Sequence, residues 1–96
     1  MGAEYSIEWD PMALKELRNL DAVLRVQLLR KLEERRHAPR VSGDALHDLK
    51  DCYKIKLRGA GYRLVYRVED ERIVVVVLAI GKRERSAAYE QARKRT

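Results

Sequence analysis

The sequence predicts an α+β domain, a small antiparallel sheet packed on an N-terminal helical hairpin, with a C-terminal helix. Three observations lead there. Apolar residues recur at helical spacing over residues 11–37 and alternate with period two in the stretches that follow residue 51. Those later stretches succeed one another through short turns, which makes them antiparallel neighbours. The chain has 96 residues, 46% hydrophobic and 38% charged, a length and composition that suit one folded unit spanning 1–96.

Taken in order, residues 4–9 alternate, with Tyr5, Ile7 and Trp9 on one face of a first strand. Asp10-Pro11 then signals a helix start, with Asp10 as N-cap and Pro11 at the first helical position. Ala13, Leu14, Leu17 and Leu20 give this helix its apolar stripe. Asp21 caps a second helix, in which Leu24, Leu28 and Leu32 recur every four residues. Pro39 ends it, because proline disfavours helical geometry in the residue before it. Residues 40–51 read as a loop. Strands are expected at 52–58, 62–69 and 72–81, with Glu69-Asp70-Glu71 as the turn before the last. That last strand is apolar on both faces (residues 73–78), the mark of a central strand. The basic tail from Lys82 forms a helix around Ala87, Ala88 and Ala92.

Charge is unevenly spread. Residues 1–48 hold 8 basic and 9 acidic groups, whereas residues 49–96 hold 13 basic and 6 acidic. The whole excess of +6 thus lies in the second half, which suggests a surface that meets phosphates. Cys52 is the single cysteine, so an internal disulfide or a cysteine-based metal site is excluded, in keeping with a reducing cytoplasm. The apolar run at 73–80 is too short to cross a membrane, and no signal peptide is expected. The first six residues fit the permissive myristoylation pattern, without a second anchor. His37 and His47 read as surface histidines, with no second cluster of ligands for a metal.

The hairpin in "CYKIKLRGAGYRLVYRV" has two conceivable registers. A three-residue turn would pair Arg58 with Tyr62 and drive Arg63 among Ile55 and Leu57, burying a charge. A four-residue turn, 58–61, pairs Leu57 with Tyr62 and Lys56 with Arg63. One face then holds Tyr53, Ile55, Leu57, Tyr62, Leu64 and Tyr66, and the other holds Lys54, Lys56, Arg63 and Arg67. The second register is the expected one. Like charges across a sheet repel, so Lys56 beside Arg63 points to an anionic ligand. Val65, Val74, Val76 and Leu78 share that face and need a cover, from the tail helix or a partner. Alternation counted from Val74 puts Lys82 on the basic face and Arg83 off it, unless Gly81 breaks the count.

"CYKIKLR", "GYRLVYRV", the valine-rich strand, "GKRERSAAYEQARKR" and the early "ALKELRNL" together resemble the RelE family of bacterial toxins over essentially the whole chain. The resemblance implies the RelE/ParE-like, microbial ribonuclease-like fold. It implies a ribosome-dependent endoribonuclease that cuts mRNA in the ribosomal A site and is neutralised by a RelB-type antitoxin. It further implies no cofactor or metal, a cytoplasmic location, no membrane, and DNA contact only through the antitoxin complex. By position, the family's active-site residues fall on Lys54, Lys56, Arg63, Arg83 and Tyr89. Arg58, Arg67, Lys82 and Arg85 are the flanking basic residues expected to contact RNA. His47 departs from the family pattern, which has an arginine there.

RNA cleavage by its own 2′-hydroxyl needs a proton acceptor, charge stabilisation on the phosphorane and a donor to the leaving 5′-oxygen. The resemblance implies Lys54 as base and Arg83 as acid. A lysine near its ordinary pKa of about 10.4 is almost wholly protonated at neutral pH, and neighbouring positive charges lower that value. Tyr89 suits stacking on a base. Two other readings stand beside this one: a non-catalytic RNA- or ribosome-binding module, and a gyrase-inhibiting toxin of the ParE type with the same fold.

Overall fold

The computed structural model describes residues 4–83 and 87–96. Arg85 and the first three residues of the myristoylation pattern lie outside them. The elements follow the expected order: β1 Ser6–Trp9, α1 Pro11–Arg18, α2 Ala22–Arg35, β2 Cys52–Leu57, β3 Tyr62–Glu69, β4 Val74–Lys82 and α3 Ala87–Arg95, with a short 3-10 turn Ser42–Asp44 before β2. Both helix starts form as their sequences dictate. The Asp10 carboxylate accepts the Met12 N–H at 2.8 Å and that of Asp21 accepts the Val23 N–H at 3.2 Å, each satisfying a donor the first turn leaves open.

The sheet order is β1-β4-β3-β2. β4, apolar on both faces, is indeed interior. The expectation of a purely antiparallel sheet needs correction, because β1 runs parallel to β4, from Ser6 opposite Val74 to Trp9 opposite Val77. The cause is the connection. The two helices and the loop after them carry the chain back so that β2 sets out in the direction of β1. β3 and β4 then each reverse, which leaves β4 parallel to β1. The sheet is therefore mixed.

Each face has its own core. On one face Leu17, Leu28 and Leu32 of the helical hairpin pack on Ile55, Leu64, Tyr66, Val75 and Val77. Burying each such leucine fully contributes roughly 1.5–3 kcal/mol. On the other face Ala88 and Ala92 of α3 lie over Cys52, Val65, Leu78 and Ala79. The cover that the valine-rich face demanded is α3, with small side chains that let it lie close.

The hairpin register is the four-residue one, with Leu57 opposite Tyr62 and Lys56 opposite Arg63. Gly61 has a φ of +72° in that turn, a conformation that favours glycine.

Along β4 the alternation breaks, though not at Gly81. Val65 pairs with Ala79 and Tyr66 with Val77, so Leu78 has no partner. This is a β-bulge. Leu78 and Ala79 both turn to the α3 face, while Ile80 returns to the hairpin face. Parity is inverted beyond that point. Lys82 falls opposite Tyr62 and Gly81 opposite Arg63, which moves Lys82 off the basic face and brings Arg83 onto it. Gly81 serves another purpose. A Cβ there would stand 2.9 Å from the Ala88 backbone nitrogen and 3.2 Å from the Ala87 Cβ, so glycine is what lets the start of α3 rest on the strand.

Candidate active site

The basic face is assembled from three separate parts of the chain. β2 supplies Lys54 and Lys56, β3 supplies Arg63, and the end of β4 supplies Arg83, whose N–H is held by the Gly61 carbonyl at 2.6 Å. Lys56, Arg63 and Arg83, with Arg58 from the hairpin turn, surround one depression of about 170 Å³ beside Tyr62. Among the described residues, none that lines it is acidic. Tyr89 joins from α3. The Arg63 guanidinium donates to the Tyr89 hydroxyl and lies 5.3 Å from the centre of its ring, a cation–π distance.

The charge cluster acts on Lys56 itself. The Lys56 ammonium is held below the ordinary lysine pKa, first by the charge of Lys54, then by desolvation and by Arg63 and Arg58, while Asp44 opposes the shift. Of the remaining expected residues, Lys54 stands opposite Val65, further along β2 from the depression. Arg67 lies four residues along β3 from Arg63 and is paired with Glu69 at 2.8 Å. Lys82 points to the other face. Neither His37 nor His47 lines the depression. Cys52 is buried and its thiol is pushed up to about 11, chiefly by burial, which makes it a packing residue.

The tyrosines of the hairpin belong to the core. Tyr53 and Tyr66 stack with ring centres 5.8 Å apart, and Tyr66 is wholly buried. The Tyr66 hydroxyl donates to the Pro39 carbonyl at 2.6 Å and accepts from Arg35 at 2.8 Å. Arg35 also pairs with Asp44 at 2.7 Å and donates to the Lys54 carbonyl at 3.4 Å. This network underlies the lysine strand, and reading the sequence missed it. A signal existed: Arg35 continues the Leu28–Leu32 stripe of α2, so a charge was aimed at the core face and needed partners there.

The family described as "ParE toxin of type II toxin-antitoxin system, parDE" matches residues 7–87. The mRNA interferase toxin RelE of Escherichia coli (strain K12) is 52% identical over 91 residues, 95% of this chain and 96% of that one. A solved structure of E. coli toxin RelE carrying two arginine-to-alanine substitutions, in the free state, matches with a TM-score of 0.90 and 48% identity, covering 97% of this chain and 98% of that one. A chain of the intact E. coli RelBE toxin-antitoxin complex matches at 0.82 and 51% identity, covering 84% of this chain and 99% of that one.

Proposed function

The chain belongs to the RelE toxin family, and on that footing we propose that it is a ribosome-dependent endoribonuclease that cuts mRNA in the ribosomal A site. Residues 1–96 act as one toxin domain. A RelB-type antitoxin holds the toxin in check, and the site of action is the cytoplasm, where the ribosomes are. No helix of the described residues is long and apolar enough to cross a membrane.

The observation that carries this reading is the convergence of Lys56, Arg58, Arg63 and Arg83 on one depression, with Tyr89 bonded to Arg63. In the reaction, the 2′-oxygen bonds to the adjacent phosphorus and the bond from phosphorus to the 5′-oxygen breaks. The products are a 2′,3′-cyclic phosphate and a free 5′-hydroxyl. The 2′-hydroxyl proton passes to the Lys54–Lys56 pair, where loss of one proton relieves the repulsion between two ammonium groups. Arg63 and Lys56 are fixed donors to the phosphorane oxygens. Arg83 donates a hydrogen bond to the leaving 5′-oxygen, which takes its proton from water, because a guanidinium holds its own proton too tightly to be a strong acid. Tyr89, with Arg63 on its ring, stacks on a base and holds the nucleotide for in-line attack. Such weak acid–base groups leave much of the rate to positioning by the ribosome, and fast cutting of free RNA would contradict that.

The test is toeprinting of mRNA on programmed ribosomes. Wild type is expected to cut in the A site, and Arg83→Ala and Tyr89→Ala to lose cutting while still binding ribosomes. No cutting by wild type, or equal cutting by both variants, overturns the proposal. The family description names ParE toxins, so inhibition of gyrase by a wild-type protein that leaves mRNA intact would install that second reading instead.

A further inference from the structure

We infer that Glu16 and Arg95 form a clasp around the edge of β4 that positions both Tyr89 and Arg83. β1 ends at Trp9, opposite Val77, so beyond that point β4 stays paired with β3 on one side and has no strand of the described residues on the other. The bulge in the β3–β4 pairing lies at the start of that stretch, and two side chains from opposite faces of the sheet meet at its open edge. Arg95, from the end of α3, donates to the Leu78 carbonyl at 2.7 Å. Glu16, from α1, accepts the Ile80 N–H at 3.0 Å. The two side chains close on each other through paired contacts, 2.9 Å to one carboxylate oxygen and 3.1 Å to the other. Gln91 adds a bond to Arg95 at 3.3 Å. The Arg95 side chain is only 11% exposed.

Two consequences follow. The clasp satisfies the carbonyl of the unpaired Leu78 and the N–H of Ile80, so it fastens the bulge that turns Arg83 toward Arg63. It also ties the far end of α3 to α1. With the near end resting on Gly81, α3 is held at both ends, and Tyr89 is carried between them. Charge-assisted, two-point pairing of this kind gives geometric precision as well as energy. Neither Glu16 nor Arg95 lines the basic depression, so both act through other residues and are positioning residues. This role rests on the endoribonuclease reading.

The experiment uses full-length Glu16→Gln, Arg95→Gln and the double variant. It measures amide hydrogen exchange across the chain, ribosome affinity and single-turnover A-site cleavage. Each variant is expected to speed exchange over residues 87–95 with β3 unchanged. Each is expected to slow cleavage at saturation by about tenfold, the factor that roughly 1.4 kcal/mol of lost coupling gives, with ribosome affinity retained. The double variant should be no worse than either single one, because both break the same unit. Unchanged exchange over α3, additive losses in the double variant, or a loss carried by ribosome affinity overturns the inference. So does faster exchange throughout β3, which would make the pair a general stabiliser. If wild type does not cut mRNA, the endoribonuclease reading fails separately, and exchange over α3 decides the clasp on its own.

Discussion

Arg63 on β3 and Tyr89 on α3 hold each other from adjacent layers of the molecule: the guanidinium donates to the phenol and lies 5.3 Å from the ring centre. The tyrosine thus has two separable functions, a ring that stacks and a hydroxyl that anchors. Tyr89→Phe keeps the ring and loses the anchor, and should slow single-turnover cleavage by up to about tenfold, the worth of one hydrogen bond. Tyr89→Ala loses both and should slow it by roughly a hundredfold or more, as expected when the reacting nucleotide is misplaced. Equal losses in the two variants would remove the stacking role.

Gly81 should be the least replaceable glycine of the described residues. Its Cβ-bearing variant meets backbone, not a flexible side-chain tip, at 2.9 Å. Gly81→Ala therefore has to lift α3 away from β4. A loss of about 1–3 kcal/mol is expected, the range for overpacking, read from urea unfolding. Cleavage should fall with it, because Tyr89 rides on the lifted helix. A fully stable and active Gly81→Ala protein would show that α3 adjusts freely.

Much of this arrangement was legible in the chain. The hairpin register followed from the cost of burying Arg63, and the four-residue turn is the one that forms. Asp10, Asp21 and Pro11 marked the helix starts because capping is local. What the sequence hid was non-local. The parallel direction of β1 depends on how two helices and a loop return the chain, and the bulge at Leu78 depends on how β4 registers against β3. No local pattern in a run of valines announces either. The charged members of the half-buried networks left a fainter mark: Arg35 after Leu28–Leu32, and Arg95 after Ala88–Ala92, each continue an apolar stripe. A charge at such a position implies a partner on the facing element. The five expected catalytic positions came from the family resemblance, and alternation alone had put Arg83 on the wrong face.

Lys56 gives a prediction with a defined sign. Its pKa is lowered mainly by Lys54 and raised by Asp44. Lys54→Gln should therefore move the Lys56 titration toward the ordinary lysine value, and Asp44→Asn should move it further down. Titration of the Lys56 side chain by NMR reads both, and shifts in the same direction would contradict the electrostatic account. The same depression links to stability. The folded chain binds fewer protons than the unfolded one between the lowered pKa and the ordinary one, so this group makes stability rise with pH across that window. Below the folded value its repulsive penalty is fully present. In wild type, A-site cleavage should rise with pH as Lys56 sheds its proton.

Tyr66 is the buried keystone of the network beneath β2. Its hydroxyl links the Pro39 carbonyl to Arg35, and Arg35 links onward to Asp44 and the Lys54 carbonyl. Tyr66→Phe preserves the packing and strips a partner from the Pro39 carbonyl and from Arg35. It should cost about 1–3 kcal/mol, the range for leaving a buried polar group unsatisfied. Thermal and urea unfolding measure this, and an unaltered midpoint would mean that water or a rearranged Arg35 replaces the phenol.

Ile73 offers the opposite outcome, a substitution that stabilises. It lies in the turn before β4 with a φ of 54° and is 42% exposed. A β-branched side chain is poorly suited to that left-handed conformation, and its exposure means that little burial compensates. The conformation is fixed by its surroundings: the Ile73 carbonyl accepts the Ser6 N–H at 3.0 Å, and its own N–H is held by the Asp70 carbonyl at 3.2 Å. These bonds tie the turn to β1, so the backbone cannot relax without releasing the first strand. Ile73→Asn keeps both bonds and supplies a residue that tolerates this region. It should raise stability by about 1 kcal/mol, the lower end of the left-handed penalty. Urea unfolding should show a higher midpoint with an unchanged slope, and cleavage should be unaffected, since Ile73 does not line the basic depression. A lower midpoint would mean that the exposed isoleucine contributes packing on β1 that outweighs its strain.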